Sequence, residues 1–217
     1  MTYDFHIFDC DGVILNSNRI KSEAFSAALK GENPSSVDKL IKYHKENGGV
    51  SRYKKFDYYF NSINPSKNPH KKINKALELF SKFVYNNLVE CDYIPGVVSY
   101  IERLNDKGSL CFVNSGGDEE ELKKIFKIRG IDHLFESIKG SPISKKSNNQ
   151  AIINSLNDNM KGAFYGDSRL DYETAKEFNL DFFYIYGYSE WNDPKGQFKG
   201  ESEDFYKILE NEDITDR

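Results

Sequence analysis

The stretch Phe5-His6-Ile7-Phe8-Asp9-Cys10-Asp11-Gly12-Val13 decides how the rest of the chain is read. Aromatic and branched residues run from Tyr3 to Phe8 with Phe5 and Ile7 on one face, the pattern of a strand, and Gly12 breaks it. The run reads as a short buried strand ending in carboxylates. Asp11 follows Asp9 at a spacing that lets both side chains approach one site.

On the C-terminal side of this strand the periodicity changes. From Asn16 to about Glu90, Ile20, Ala24 and Phe25, then Val37, Leu40 and Ile41, then Tyr53, Phe56 and Phe60 recur at helical spacing. A longer helix is predicted from about Pro69 to Leu88, with Ile73, Ala76, Leu77, Phe80, Val84 and Leu88 as its apolar stripe and the proline where a helix start tolerates it. Beyond Pro95-Gly96, helices and strands alternate. A helix bearing Val97, Val98, Ile101 and Leu104 stops at Gly108, and a strand follows from Leu110 to Val113. A helix from Asp118 to Arg129, a strand near Ser137 to Lys139, a helix near Asn148 to Leu156, a strand from Ala163 to Tyr165, another helix and a strand from Phe182 to Tyr186 complete the pattern. After Gly187 only Phe205 to Leu209 looks helical.

Such alternation predicts an α/β fold, a Rossmann-like parallel sheet covered on both faces. The helical stretch interrupts it just after the first strand. Residues 1–15 and 91–217 are therefore expected to form the core, and 16–90 a small helical cap.

In an open parallel sheet, ligands collect outside the carboxyl ends of the strands. Those ends carry Asp9 and Asp11, then Asn114-Ser115-Gly116-Gly117, then Lys145 with Lys146, then Gly166-Asp167-Ser168 with Asp171. Hydrolysis of a phosphomonoester dianion needs cationic charge around the phosphoryl oxygens, an in-line nucleophile and a proton for the departing alkoxide. Asp9, ionised at neutral pH, is the candidate nucleophile. Asp11 is placed to protonate the leaving oxygen and then activate water, a role that asks for a raised pKa. Ser115 can donate its hydroxyl to a phosphoryl oxygen, Gly116 and Gly117 leave backbone N–H groups accessible before a helix start, and Lys145 supplies a compact charge, with Lys146 as its alternative. Magnesium, which prefers oxygen ligands and keeps several waters, would be held by carboxylates such as Asp9 and Asp167. Singly, a strand-end DxD or a Ser-Gly-Gly is often a turn, and a lysine pair a solvated face. A turn has no reason to recur with complementary chemistry at successive strand ends.

Composition narrows the partners. With 30 basic and 34 acidic residues the formal net charge is -4, so no global positive field draws the molecule to nucleic acid or anionic lipid. Cys10, Cys91 and Cys111 form no CxxC pair, which suits free thiols in a reducing compartment. No segment approaches the ~18 apolar residues of a membrane span. Asp4 and His6 stand where a signal peptide would want a basic residue and an apolar run. A cytoplasmic location, a small soluble phosphate ester as substrate and no obligate protein partner are expected.

The ordered set resembles the haloacid dehalogenase superfamily. The resemblance runs through Asp9-Cys10-Asp11-Gly12-Val13, Ser115 after an apolar strand, Gly140-Ser141-Pro142-Ile143-Ser144-Lys145, and Gly166-Asp167-Ser168-Arg169-Leu170-Asp171. It implies Asp9 as nucleophile, Asp11 as acid and base, Ser115 and Lys145 on the phosphoryl group, magnesium held by Asp9, the Asp11 carbonyl and Asp167, and Asp171 supporting them from behind. An acid two residues after the nucleophile is similar to phosphatases and phosphomutases rather than dehalogenases. The helical insert looks like a cap that closes over small substrates.

Within it, Gly48-Gly49-Val50-Ser51-Arg52 is similar to a loop of sugar-phosphate mutases, which implies Arg52, and with it Lys55, at the far end of the substrate. Lys21 falls where related mutases have a hinge histidine, and Asn16 where many members have Asp, which favours a phosphatase over a mutase. The pairing of Ser-Gly-Gly with Gly-Ser-Pro-x-x-Lys looks like phosphatases of bacterial surface-polysaccharide precursors, implying a phosphorylated sugar, polyol or amino alcohol.

Overall fold

The computed structural model describes residues 3–215. Strand β1 (Phe5–Phe8) lies between β2 (Leu110–Asp118) and β4 (Gly162–Gly166) in a sheet of order β3-β2-β1-β4-β5-β6, where β3 is Ser137–Ser141, β5 Asp181–Ile185 and β6 Gly200–Ser202. All neighbouring strands pair in parallel. With a strand on each side and helices on each face, all of β1 is buried, so it reads as a continuous apolar run. Phe8, Val113 and Tyr165 face one half of the core, and Phe5, Ile7, Phe112 and Phe164 the other.

The chain builds the sheet outward from β1 through β2 to β3, then returns to β4 on the other side of β1. This reversal opens a crevice at the carboxyl ends of β1 and β4. Asp9 and Asp167 are the residues that follow those ends.

Between β1 and β2, helices α1 (Asn18–Ala28), α2 (Pro34–Glu46), α3 (Arg52–Tyr58, continuing into a π-helical turn, Tyr59–Ile63) and α4 (Pro69–Leu88) pack on one another. Helix α4 has the span the sequence predicts. Asn68 caps it by accepting from the Lys71 N–H, and Ala76, Phe80, Val84 and Leu88 are its buried stripe. Phe80 sits 4.6 Å from Phe25 and 5.7 Å from Phe56 between ring centroids. Truncating such a ring to alanine costs about 3–5 kcal/mol, so this aromatic knot holds the bundle together.

After α4 come α5 (Val97–Asp106), α6 (Glu119–Ile128), α7 (Lys145–Asn154), α8 (Arg169–Glu177) and α9 (Phe205–Thr215). Several elements differ from the sequence expectation, and α9 runs on to Thr215 beyond the expected Leu209. Strand β2 continues past Val113 to Asp118, with a shift of register against β3 between Asn114 and Asp118. Helix α7 begins at Lys145 rather than near Asn148, because the Ser144 hydroxyl accepts from the Ser147 N–H and sets the start there. Strand β6 had no sequence signal, since its Gly-Glu-Ser has no apolar alternation; it joins the sheet by pairing with β5. Cys10 and Cys111 are buried and Cys91 half-buried, all as free thiols.

Candidate active site

A cavity of about 400 Å³ opens at the crevice between β1 and β4, with α1–α4 as its roof. Its floor is made by the strand ends. Asp9, 3% exposed, accepts at Oδ1 from the Cys10 N–H at 2.7 Å and from Lys145 Nζ at 2.9 Å, while Oδ2 accepts no hydrogen bond among the described residues. Lys145 also donates to Asp171, so the first residue of α7 ties together the ends of β1 and β4. Its own backbone oxygen accepts from Asn114 Nδ2 at 2.9 Å, which fixes α7 to β2. Lys146 points elsewhere, pairing with Glu177 on the surface. Lys145 is therefore the lysine at the site.

Asp167, at the end of β4, accepts from Asn18 Nδ2 at 2.7 Å. Asp171 occupies the third position of α8, where it accepts from the Ser168 N–H at 3.1 Å and hydroxyl at 2.6 Å while the Ser168 hydroxyl caps the helix in return. This capping box makes Asp171 a fixed anchor for Lys145. Gly12, with φ +78°, belongs to the same construction: a side chain there would collide with the Asp167 carboxylate and the Asn18 amide.

Asp9, Asp167 and Asp171 each offer an oxygen within 4.8 Å of the others. Burial pushes the Asp9 pKa up to about 7, with the Asp171 charge adding and Lys145 opposing. Asp167 is pushed well above the carboxylate range by burial and by the charges of Asp9 and Asp171. Crowded, buried, hard oxygen donors with a surplus of negative charge fit a magnesium ion, which would be held by Asp9 and Asp167.

Asp11 departs from expectation. Burial raises its pKa, but Lys21, 3.5 Å away, and the Ser17 hydroxyl, 2.5 Å away, together outweigh burial and hold it below the ordinary range. The raised pKa expected of an acid does not arise, because Lys21, on α1, approaches the carboxylate directly. Ser115 and the glycines also differ in detail. Gly116 and Gly117 line the cavity and Ser115 is fully buried, its Oγ accepting from the Gly117 N–H at 3.0 Å. The Gly117 N–H is thus engaged rather than free, while the Ser115 hydroxyl keeps its own proton to donate.

The roof brings together residues from distant positions. Lys21, Arg52 and Lys55 all line the cavity and are 5%, 4% and 2% exposed. Arg52 makes a bidentate pair with Glu121 of α6, at 3.0 and 2.6 Å, donates to Ser81 at 3.0 Å, and stacks on Phe80 at 4.5 Å. It is a buried bridge between α3 and α6 rather than a surface pair. Beside it the Tyr53 hydroxyl donates to Asp118 at 2.6 Å, and the Gly49 carbonyl lies where a Cβ on Gly116 would be. The loop before α3 consequently rests on the end of β2.

Sequence reasoning missed His44, Asn18 and the segment after β5. His44 has no motif around it, and its neighbours become apparent only once α2 packs beside α3. Asn18 donates to Asp167 and, at 2.8 Å, to the Tyr188 carbonyl. Ser189 donates to the Asp167 backbone oxygen at 2.5 Å and accepts from the Trp191 N–H at 3.0 Å, placing Glu190, Trp191 and Asn192 along the cavity. Glu190 reaches Lys45 of α2 at 3.4 Å. The aromatic density around Trp191 was the available signal: its ring lies 5.4 Å from Tyr184 and 5.8 Å from Phe198.

Comparison with known proteins agrees with this geometry. The family described as haloacid dehalogenase-like hydrolase matches residues 6–185. A search of curated proteins finds no match. Among solved structures, a predicted phosphoglycolate phosphatase from Haemophilus somnus 129Pt is 22% identical with a TM-score of 0.76, covering 98% of this chain and 99% of that one. CbbY from Rhodobacter sphaeroides, in complex with phosphate, is 12% identical with a TM-score of 0.76 over 95% and 96% of the two chains. YfnB from Bacillus subtilis, bound to magnesium, is 14% identical with a TM-score of 0.70 over 97% and 99%. At these identities the structures share the fold. Among the described residues no helix is long and apolar enough to cross a membrane.

Proposed function

The chain belongs to the haloacid dehalogenase-like hydrolases, and from that premise we propose that it is a magnesium-dependent phosphatase of small soluble phosphomonoesters, working through a phosphoryl group carried on Asp9. The observation that supports this most is the pairing of Asp9, held at Oδ1 and unengaged at Oδ2, with Asp11 two residues on at the same cavity. Asp9 Oδ2 attacks phosphorus, the bond from phosphorus to the alcohol oxygen breaks, and Asp11 gives that oxygen its proton. Water then attacks the acyl phosphate, Asp11 takes the proton, and the bond to Asp9 breaks to release inorganic phosphate.

Lys145 and the Ser115 hydroxyl hold the phosphoryl oxygens, and Asp171 positions Lys145. Magnesium, when bound, supplies charge neutralisation at the transferring phosphoryl group. Asp11, held low by Lys21, needs a proton before it can act as an acid. A phosphate dianion beside it offsets Lys21 and Lys145, raising the Asp11 pKa as the ester arrives. The helices of 16–90 act as a cap that excludes bulk water from this chemistry, and the enzyme works in the cytoplasm without a required protein partner.

The motif resemblance supports a phosphorylated sugar, polyol or amino alcohol, with a place in making surface-polysaccharide precursors. A phosphomutase would use the same first step but return the phosphoryl group to a sugar. With Lys21 on Asp11 and Arg52 committed to Glu121, hydrolysis is the better reading. The test is a panel of small phosphate esters with magnesium, scored for inorganic phosphate. Release that stops on chelation supports the proposal, whereas conversion of a hexose 1-phosphate with no release supports the mutase.

A further inference from the structure

Most charged groups around the cavity have a partner of opposite sign. Lys21 faces Asp11, Lys45 faces Glu190, Arg52 faces Glu121 and Arg169 faces Glu173. Lys55 is different. Its ammonium is buried in the roof with no carboxylate within 4.0 Å among the described residues. It meets only His44 Nδ1, at 2.7 Å, and the Phe25 ring, 5.8 Å from its centroid.

When Lys55 is protonated its ammonium can only donate, so Nδ1 is then the accepting nitrogen and the His44 proton sits on Nε2. That Nε2 is itself buried with no hydrogen-bond partner among the described residues. Beyond the bond that joins them, these two adjacent cavity-lining groups have hydrogens to donate and no further acceptor among the described residues. Phe25 and Phe80 line the same wall and offer no polar replacement. Burying a cation and an N–H in this way is costly unless something negative completes the site. Burial draws the Lys55 pKa down to about 7, the direction expected of an ammonium lacking a counter-charge; Asp11 opposes and Lys21 adds.

We infer that Lys55 and His44 form an anion-binding subsite in the roof, so that the substrate is a short phosphate ester whose far end carries a second negative group, a carboxylate or a second phosphate. This rests on the phosphatase reading for its first phosphate, which the floor takes through Lys145. It narrows the substrate to an acidic sugar, polyol or hydroxy-acid phosphate. An amino-alcohol phosphate is disfavoured, because its ammonium would face Lys55.

Binding of non-hydrolysable probes tests the subsite without requiring turnover. Methylphosphonate carries one anionic end, phosphonoacetate adds a carboxylate, and methylenebisphosphonate adds a second phosphonate. By calorimetry with magnesium present, one or both of the two-ended probes should bind the wild-type protein about tenfold or more tighter than methylphosphonate, as a charge-assisted contact of 1.5–3 kcal/mol gives. The probe that gains more tells carboxylate from phosphate. Lys55→Met should erase most of that ratio, with Lys55→Gln as a second variant and a thermal melt verifying that each is folded. Equal binding of all three probes by the wild type, or a ratio unchanged in both folded variants, overturns the subsite. Failure of the phosphatase reading shows separately, as no phosphate released from any ester.

Discussion

On the floor of the cavity carboxylates outnumber cations: Lys145 pairs with Asp9 and Asp171, and Asp167 beside them accepts only from the Asn18 amide among the described residues. On the roof the balance reverses: Lys21, Lys45, Arg52 and Lys55 line it against Glu46, with Lys21 reaching down to Asp11 and Arg52 across to Glu121 on α6. The two walls therefore ask for opposite things. A floor of buried like charges is relieved by a cation, and a roof with an uncompensated ammonium is relieved by an anion. The substrate proposed above, a magnesium-bound phosphate ester with an acidic tail, would supply both. On the proposed reading, reaction type and substrate choice are written on different walls.

The largest way to break the comparison is on the floor. Asp9→Asn should lower phosphate release by about 10⁴-fold or more, the scale seen when a nucleophile is removed, while the protein stays folded. Near wild-type turnover would remove Asp9 from the mechanism.

Second in size is a test of the bridge between the walls. Glu121→Gln leaves Arg52 buried beside a neutral amide, and breaking one side of a buried pair costs about 3–5 kcal/mol. A loss of unfolding free energy of that order is expected in denaturant titrations. A change of less than about 1 kcal/mol, the range of exposed pairs, would show that Arg52 relaxes into solvent or substrate contact instead.

The third sharpens the charge surplus through pH. Because the folded-state pKa of Asp9 is raised to about 7 by burial and Asp171, folding favours its protonated form. Its contribution is most favourable below the ordinary carboxylate range and is lost as pH rises through 7. Metal-free wild type should therefore lose stability relative to metal-free Asp9→Asn as pH rises from the ordinary carboxylate range to about 7, and magnesium should flatten the difference. Parallel stability curves without metal would mean that the floor carries no such strain. Asp11 has the opposite sign: its lowered pKa gives stability present above the ordinary carboxylate range and lost in acid.

The smallest expected effect is Lys146→Ala. Lys146 pairs with Glu177 at the surface, so turnover should stay at the wild-type rate, whereas Lys145→Ala should remove it. A large loss in the Lys146 variant would reassign the phosphate-holding lysine.

These differences also explain what could be read from the sequence. The floor was legible because each of its residues follows a buried strand or opens a helix. Asp9, Lys145 and Asp167 are fixed by local pattern, and parallel pairing brings them together. The long helix Pro69–Leu88 was legible from its stripe and cap. The roof was only partly so. Arg52 and Lys55 lie in a recognisable loop and helix, but that Arg52 meets Glu121 and Lys55 meets His44 depends on how helices pack, which periodicity does not specify. The Asp11 pKa was misjudged for the same reason, since Lys21 comes from a separate helix. Strand β6 was invisible because three polar residues carry no alternation.

The central claim is that Asp9 carries the phosphoryl group. Mixing the enzyme with magnesium and a turned-over phosphate ester, quenching in acid and mapping peptides by mass spectrometry tests it directly. The account predicts one phosphoryl adduct on the peptide containing Asp9, absent in Asp9→Asn. An adduct on another residue, or phosphate release that persists in Asp9→Asn, would contradict it.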